Sequence, residues 1–511
     1  MPREGILINK PFERINEKQI QQIHEASLQI LMKPGLISFN RRAAEIFQEH
    51  GAQVEKTGGD NCWQIKIPEK LVTDALANAP KTVKLGARNP DNILVMHGDE
   101  PRVFFITGSE TNIWLEEKFP AYIKKDDPAK EITVPEFHAR RGMLADLCDS
   151  AHVCEYLDTV DGYIRTVNIQ DKDIDENNKD VNKFFACLNN MTKHVQSGLT
   201  NPKQLDNVVK IAEMVAGGKQ QLKDNPLISF ITCLVKSPLQ FVNDTTETYI
   251  NICEKGLPAV VSSSPQAGTS APITEAGIMA QINAEVLAGI TLGQLVNPGT
   301  PVLYGSVPVL ARMDTLGDSY GAVETSQFNI DCVQMARFYK LPNYSTSGVC
   351  DAKIPGQQCT TERLFSNTVV TMSGPQFLHC AFGLLDCNAV FSLLQAVIDD
   401  AQFQRIKFFL KAPKIGEPEL AETQKQIEAV VATPQKMFIS YIRSAMRRGE
   451  IMAPYPFEGD SGDDNVFALA YKRLQELRAK PVPHIAPDIV KEIFKEIPGL
   501  LPRLNVTAEG R

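Results

Sequence analysis

Eight short apolar runs, each followed by enough chain for a helix, constrain the fold of this 511-residue chain more than any other feature. Parallel strand neighbours need a crossover of a dozen or more residues, and the gaps between successive runs provide that length. We therefore predict an α/β fold in the form of a (β/α)8 TIM barrel. The predicted strands cover residues 103–107, 160–166, 194–199, 227–233, 259–263, 301–306, 344–349 and 376–382.

A doubly wound α/β sheet is the alternative that the same alternation allows. The dinucleotide-binding form of that fold carries a G-x-G-x-x-G turn after its first strand, and no such turn follows residues 103–107. The barrel interpretation also locates the functional residues, because active sites of such barrels lie at the carboxyl ends of the strands.

The chain is predicted to divide into three parts. Residues 1–101 form an N-terminal cap, with helices over 16–32, 40–50 and 69–79 and a hairpin over 83–97 around the turn residues Asn-Pro-Asp-Asn. Residues 102–410 form the barrel, and residues 411–511 form a C-terminal helical extension that prolines interrupt.

Composition excludes several classes of partner. The formal net charge is -8 and no block of Lys or Arg stands out, which argues against nucleic acid. The first 20 residues lack the apolar core of a secretory signal, and charges or prolines interrupt the later apolar stretches, so no membrane span is expected. Eleven cysteines without a C-x-x-C pair indicate free thiols in a reducing compartment, and we expect a cytoplasmic protein.

The segment after the fifth predicted strand, 262–277, reads SSSPQAGTSAPITEAG and contains almost no bulky side chain. Linkers have this composition, but a linker does not usually join a core strand to a core helix. Small side chains let a ligand approach the backbone closely, so this loop is predicted to admit a large planar ligand at the mouth of the barrel.

Four stretches of the chain carry a recognisable pattern: residues 103–117 (VFFITGSETNIWLEE), 265–308 (PQAGTSAPITEAG onward), 350–358 (CDAKIPGQQ) and 374–386 (GPQFLHCAFGLLD). They resemble the trimethylamine methyltransferase superfamily, the corrinoid-dependent amine methyltransferases of methylamine metabolism. The resemblance covers roughly residues 15–410. It implies a (β/α)8 barrel that moves a methyl group from an amine to a corrinoid cobalt on a separate protein, and an oligomer of this chain is expected. Gly268, Ser270 and Ala271 are then expected to face the corrin ring.

This sequence departs from the trimethylamine branch of that family, whose members carry pyrrolysine, because it contains only the standard residues. A quaternary ammonium needs no special activation, since its leaving group is already a neutral tertiary amine. The resemblance to the non-pyrrolysine branch therefore points to glycine betaine, with carnitine, γ-butyrobetaine and proline betaine as alternatives. A barrel that binds quaternary amines without catalysis is a further alternative.

A quaternary ammonium is best held by aromatic faces, at ~0.5–2 kcal/mol each, because a carboxylate would stabilise the charged ground state too strongly. Aromatic residues near the predicted strand ends are Phe104, Phe105, Trp114, Tyr163, Phe230, Tyr304, Phe377 and Phe382, of which Phe105, Trp114, Tyr304 and Phe382 are the preferred candidates. A betaine carboxylate is expected to meet Arg312 or Lys353, with His379 as a hydrogen-bond donor. A packing role in the core is the competing interpretation for each aromatic residue and for His379, and a solvated loop charge is the competing interpretation for Arg312.

Two alternative mechanisms are disfavoured by the sequence: a zinc ion that activates the substrate, and a corrinoid bound by this chain itself. His379, Cys380, Cys387, Cys350 and Cys359 are close in sequence, but their spacing is not that of a zinc site, so no metal is predicted. None of the eight histidines stands in the D-x-H-x-x-G context that corrinoid-binding domains of this family use. The corrinoid is therefore expected to come with a partner protein, and this chain is expected to bind no cofactor of its own.

Overall fold

Eight parallel strands organise the computed structural model, which describes residues 2–59, 61–119, 121–123, 131–133, 135–452, 454–457 and 465–501. Each strand lies within one of the eight predicted runs or begins one residue before it. In chain order they are β1 (Arg102–Phe105), β2 (Tyr163–Ile164), β3 (Val195–Ser197), β4 (Ile228–Thr232), β5 (Ala259–Ser263), β6 (Val302–Ser306), β7 (Asn343–Thr346) and β8 (Phe377–His379).

The strands form one curled sheet in the order β1-β8-β7-β6-β5-β4-β3-β2, and all of these neighbours are parallel. A parallel bridge between Ile106 and Gly162 joins the chain after β1 to the chain before β2. The backbone N–H of Asp161 also donates to Phe105 O at 2.7 Å. The two ends of the sheet are therefore linked, and the α/β class predicted from sequence is confirmed.

Helices follow the strands in the alternating order that parallel neighbours require. The α-helices that lie between successive strands, followed by the helix after β8, are α4 (Leu144–Glu155), α5 (Lys179–Asn190), α6 (Leu205–Ala216), α7 (Lys219–Asp224), α8 (Asn243–Glu254), α9 (Glu275–Val296), α10 (Val323–Phe338), α11 (Gln357–Ser373) and α12 (Leu393–Phe409). Helix α9 is long and apolar enough to cross a membrane, but 89% of its most apolar stretch is buried inside the protein, as in the core helix of a globular domain.

Alternate residues of each strand point to opposite faces of the curled sheet. Phe104, Leu303 and Phe377 belong to an inner core that also contains Val83 and Met96 of the hairpin formed by Thr82–Leu85 and Leu94–His97. The hairpin thus packs against the inner face of the sheet, beneath the level at which the loops after the strands begin.

The N-terminal cap contains α1 (Glu17–Met32), α2 (Arg41–Glu49) and α3 (Glu69–Asn78), as the sequence predicted. It is not only helical, because Leu36–Ser38, Gln53–Lys56 and Trp63–Lys66 form strands. A hairpin from the loop after β4, with strands Val235–Lys236 and Gln240–Phe241, extends this small sheet to five strands. The cap is therefore joined both to the outside of α9 and to a loop at the carboxyl end of the main sheet.

Two further elements cover the first strand–helix unit. The loop between β1 and α4 carries strands Ile113–Lys118 and Glu136–Arg141, which pair with each other, and Ile113–Lys118 also pairs with Val390–Phe391. The C-terminal region contains α13 (Glu417–Val431), α14 (Ile439–Arg447), α15 (Val466–Arg478) and α16 (Pro487–Glu496). Arg478 of α15 forms a 2.7 Å ion pair with Asp149 of α4, which anchors the extension on the main body. Residues 453, 458–464 and 502–511 of the predicted extension lie outside the described residues.

Candidate active site

A cavity of ≈ 350 Å³ opens at the carboxyl ends of the parallel strands. This volume lies near the lower end of the range of about 300–1,000 Å³ that is usual for small-molecule sites. Strand ends and the loops after them supply its wall, so residues far apart in sequence meet there. Its polar and aromatic lining residues include Glu110, Cys233, Ser262, Tyr320, Tyr344 and His379.

Two tyrosines give the cavity an aromatic wall. Tyr344 of β7 is stacked between Phe377, at 5.2 Å between ring centroids, and His379, at 3.8 Å. Tyr320 lies in the loop between β6 and α10 and is 9% exposed. Burial raises the pKa of both phenols well above their ordinary value, so both rings stay neutral. Neutral aromatic faces of this kind attract cations.

His379 is the one preferred candidate from the sequence that lines this cavity. Its Nε2 is hydrogen-bonded with Thr346 Oγ1 at 2.5 Å and its Nδ1 with Cys380 Sγ at 2.9 Å. Burial lowers the pKa of the imidazole well below its ordinary value. The ring is therefore neutral at physiological pH. It can donate or accept a hydrogen bond, but it adds no positive charge to the cavity.

Glu110 is the only residue with a formal charge at neutral pH among the described residues that line the cavity. Its Oε1 accepts hydrogen bonds from Gly198 N at 3.0 Å and from Ser197 Oγ at 3.2 Å. Its Oε2 forms an ion pair with Arg165. The cavity thus presents one carboxylate, whose negative charge these donors partly offset, although aromatic faces alone were expected from sequence.

The side chain that pairs with Glu110, that of Arg165, is buried. The Arg165 side chain is 2% exposed, and its Nε and Nη1 atoms have no hydrogen-bond partner in the described chain. Burial lowers the pKa of Arg165 to about 9 and the pKa of Lys183 to about 7. Lys183 Nζ lies 2.6 Å from Asp180 Oδ1 on the same helix. Arg165 is therefore positioned to adjust the electrostatic strength of Glu110 from outside the cavity.

Small polar groups occupy the rest of the wall. The hydroxyl of Ser262 and Oδ1 of Asn388 are buried without a hydrogen-bond partner in the described chain. Cys233 is exposed to the cavity although protein surrounds it, as expected for a residue on a cavity wall. These groups can form hydrogen bonds with a bound molecule, whereas burial raises the pKa of Cys233 and keeps its thiol protonated.

The other preferred aromatic residues do not line the cavity. Phe105 and Phe382 pack against Phe403 of α12, on the outer side of the sheet. The Tyr304 hydroxyl donates to Asn283 Oδ1 of α9 at 2.9 Å. Trp114 is 1% exposed and lies in the strand Ile113–Lys118, against Phe391. The packing interpretation describes the positions of these side chains.

The remaining aromatic residues also lie away from the cavity wall. Phe104 and Phe377 belong to the inner core beneath it. Phe230 packs against Phe184 of α5, and the Tyr163 hydroxyl is hydrogen-bonded with Ser150 Oγ of α4 at 2.7 Å.

The two predicted cations are on the surface. Arg312 forms an ion pair with Asp314 in its own loop, at 2.8 Å, and its side chain is 47% exposed. Lys353 is exposed in the loop between β7 and α11. Neither lines the cavity, although both lie in loops at the carboxyl end of the sheet.

The small-residue loop lies on the rim above the cavity, where Gln266–Ala267 pairs with the strand Val309–Ala311. Gly268 has a φ of +97°, which strongly favours glycine, and a Cβ there would meet Ile273 Cδ1 at 3.2 Å and Met313 Cε at 3.3 Å. Ser270 Oγ accepts from Gln266 N at 2.9 Å, and the nearly buried Ala271 bridges back to Ala267. The loop is thus a tight turn beside exposed apolar side chains.

The cysteines near His379 do not gather into a metal site. Cys350 and Cys359 contact each other at 3.7 Å between sulfurs, and Cys387 lies 3.4 Å from Asp351 Oδ1. Within the described ranges, no group of three or more His, Cys, Asp or Glu side chains has an arrangement that could hold a metal ion.

A larger depression of ≈ 880 Å³ lies at the opposite, amino-terminal ends of the strands. Its wall consists of loop backbone and solvated side chains such as Lys84, Glu213 and Lys255. None of the described residues in its wall is aromatic, in contrast to the smaller cavity. Because active sites of such sheets lie at the carboxyl ends of the strands, we assign the chemistry to the smaller cavity.

From the sequence, Tyr344 was predicted only as the first residue of a strand. Neither Glu110 nor Tyr320 was predicted as a site residue. The signal for Glu110 was its position in TGSE, directly after the first strand, where functional residues of such folds stand. Tyr320 lies in a loop and nothing in its local pattern marks it.

The sequence model of the family described as trimethylamine methyltransferase (MTTB) matches residues 5–118 and 130–438. Trimethylamine methyltransferase MttB of Desulfitobacterium hafniense (strain DSM 10664 / DCB-2) is 31% identical over 393 residues, which cover 77% of this chain and 74% of the relative. Glycine betaine methyltransferase of Desulfitobacterium hafniense (strain Y51) is 27% identical over 418 residues, covering 82% and 81%. The solved monomethylamine methyltransferase MtmB of Methanosarcina barkeri has a TM-score of 0.47 and 12% identity, covering 92% of this chain and 90% of that chain.

The family match spans most of the chain and includes every strand of the main sheet. It confirms the family that the sequence motifs predicted. The chain belongs to the trimethylamine methyltransferase (MTTB) family.

Proposed function

We propose that this protein transfers a methyl group from a quaternary amine to the Co(I) of a corrinoid held by a separate protein. The observation that carries the proposal is the charge of the cavity: one carboxylate, Glu110, beside the neutral faces of Tyr320 and Tyr344. A cavity of this kind selects a small cation of limited volume.

The proposal includes a closed (β/α)8 barrel over residues 102–410, with a cap over 1–101 and an extension over 411–511. The support for closure is the parallel bridge Ile106–Gly162 and the reciprocal bonds between Thr107 and Ile164, at 2.8 and 2.9 Å. A closed barrel would fix the spacing of the strand ends and hence of the cavity wall.

Positive charge at the substrate nitrogen disappears during the transfer, because the C–N electron pair remains on the amine and a neutral tertiary amine leaves. Reduced cobalt supplies the electron pair of the new bond to the methyl carbon. Glu110 attracts the cation, and Arg165 weakens the hold of that carboxylate on the charged ground state. The Tyr344 and Tyr320 rings exclude water and orient the methyl group, since positioning is the main contribution a protein can make to such a displacement.

The rim fits a docked corrinoid carrier. Exposed apolar side chains surround the tight turn at Gly268, namely Ile273, Met313 and Leu316. Backbone without bulk beside an apolar rim suits a flat macrocycle that must approach the cavity from outside. Gly268, Ser270 and Ala271 therefore stay in the proposal as the residues that face the corrin.

Within the quaternary amines we propose a betaine, with glycine betaine first and carnitine, γ-butyrobetaine and proline betaine as alternatives. A substrate carboxylate would have to compete with Asp314 for Arg312, or reach Lys353 on the surface. His379 would donate or accept one hydrogen bond at the cavity end of the substrate. The expected setting is the cytoplasm, where the eleven free thiols stay reduced.

The substitution Glu110→Gln tests the carboxylate. Loss of a charge-assisted contact of ~1.5–3 kcal/mol predicts a roughly ten- to hundredfold weaker binding of glycine betaine or tetramethylammonium. Binding is measured by calorimetry on the chain alone, and Glu324→Gln, the same change at an exposed site, is the control. Unchanged affinity in Glu110→Gln would remove Glu110 from the site.

Turnover separates the catalytic proposal from a binding module without chemistry. The chain, a reduced corrinoid protein and a panel of methylated amines are combined, and methyl-cobalt absorbance is followed. We expect a signal with betaines and none with trimethylamine. Binding without any methyl transfer would favour the non-catalytic barrel, and demethylation of trimethylamine would contradict the quaternary assignment.

A further inference from the structure

The region after α12 projects from the body of the protein. In residues 411–450, which we call the arm, α13 buries only Val430 and α14 buries no residue. The chain then returns to the main body, where α15 packs against α4 and α12. The arm is therefore a helical excursion that starts and ends on the body but has almost no core of its own.

The arm is rich in exposed large apolar side chains. In α13 they lie at helical spacing, with Leu420, Ile427 and Val431 on one stripe, and in α14 Ile439, Ile442 and Met446 form a second stripe. The full exposed set is Ile415, Leu420, Ile427, Val431, Met437, Phe438, Ile439, Ile442 and Met446. Helices of 15 and 9 residues are marginal in water by themselves, so these stripes need a cover.

The charges of the arm indicate what covers it. Helix α13 carries four glutamates against one lysine, whereas α14 carries two arginines and no acid. Two copies related by a two-fold axis would place α13 of each against α14 of the other, which matches acid to base and apolar stripe to apolar stripe. A membrane surface would suit the basic α14 alone, because anionic lipids would repel the acidic α13.

We propose that the arm is a self-association surface, and that its occupant is the arm of a second copy of this chain in an isologous dimer. The contact lies outside the cavity and is independent of the methyl transfer proposed above. It joins protomers through the extension and leaves the rim at Gly268 open for a different protein.

Sedimentation of the full chain over a micromolar concentration series tests this proposal. We expect a dimer for the wild type. Glu422→Lys with Glu428→Lys on α13, or Arg443→Glu with Arg447→Glu on α14, should each weaken the dimer roughly tenfold or more, because like charges then face each other. All four changes together should restore the dimer, since the complementarity is inverted but kept.

The exposed substitution Lys18→Glu serves as a control for charge reversal elsewhere, and circular dichroism confirms that each variant is folded. A monomeric wild type would overturn the proposal, as would a dimer that both reversed pairs leave unchanged. Weaker association that the fourfold variant fails to recover would overturn the α13–α14 pairing. A wild type that stays monomeric and sediments with anionic vesicles would assign the arm to a lipid surface instead.

Discussion

Substituting Arg363 by methionine removes the group that holds the loops above the cavity together. The Arg363 side chain extends from α11, is fully buried and pairs with Asp399 of α12. Its Nε–Oδ1 and Nη2–Oδ2 distances are 3.0 and 2.5 Å. The guanidinium also donates to the carbonyls of Ala381 at 3.0 Å, Leu384 at 2.6 Å and Gly348. These carbonyls belong to the loops after β7 and β8.

The cost follows from what the substitution leaves behind. Asp399 keeps bonds from Gly383 N and Gln395 Nε2 but loses its counter-charge in a site without solvent. Breaking one partner of a buried pair typically costs about 3–5 kcal/mol. Three carbonyls also lose a donor, at about 1 kcal/mol each. The loss of stability in Arg363→Met should therefore lie at or above the upper end of that range.

Denaturant unfolding of the wild type and the variants measures this cost. Arg41→Met is the matched control, because Arg41 forms an exposed pair with Glu45 that is worth at most about 1 kcal/mol. Adding Asp399→Asn to Arg363→Met removes the stranded charge and should recover about 1–3 kcal/mol. A loss below about 1 kcal/mol in Arg363→Met, or no recovery in the double variant, would refute the reasoning.

Two further predictions concern pH and the rim. Burial raises the pKa of Glu117 to about 7, so the folded state binds a proton that the unfolded chain has released above its ordinary pKa of 4.5. The stability that this bound proton contributes is full below pH 4.5 and is lost as pH rises through 7. Glu117→Gln should therefore raise the free energy of unfolding at pH 8 by up to ~3 kcal/mol, and with it Tm, but change little at pH 4.5. Equal gains at both pH values would contradict this prediction. Gly268→Trp should abolish methyl transfer from betaine while calorimetric amine binding stays unchanged, and Gly51→Trp, at a similar φ in open space, should affect neither; lost amine binding would show that the loop belongs to the cavity.

The strands were predictable because each of them is a short apolar run bounded by turn residues. The prediction at 259–263 matches β5, and 301–306 differs from β6 by one residue. The weakest match is at 160–166, where only Tyr163–Ile164 forms a strand. That run contains Asp161 and Arg165, whose side chains form ion pairs, and Gly162, which forms an isolated bridge with Ile106.

Which face of each strand points inward was not predictable in the same way. Strands covered on both faces are apolar at nearly every position, so the period of two carries no label for the inner side. Tyr304 and Phe105 looked equivalent to Tyr344 in sequence, yet they point to the helices. A single register shift exchanges the two sets, and only the packed structure fixes it.

The family and the substrate rest on different parts of the sequence. The family match covers the framework of strands and the loop at 265–308, and the two relatives described above are named for different amines. In our proposal the substrate depends on side chains that no local sequence pattern brings together: Glu110 after β1, Tyr320 in the loop after β6 and Tyr344 on β7. Since Arg165 pairs with Glu110, we expect a change outside the cavity to alter selectivity without altering its wall. Substrate differences within this family should therefore be sought in the charged residues behind the cavity as well as in its lining.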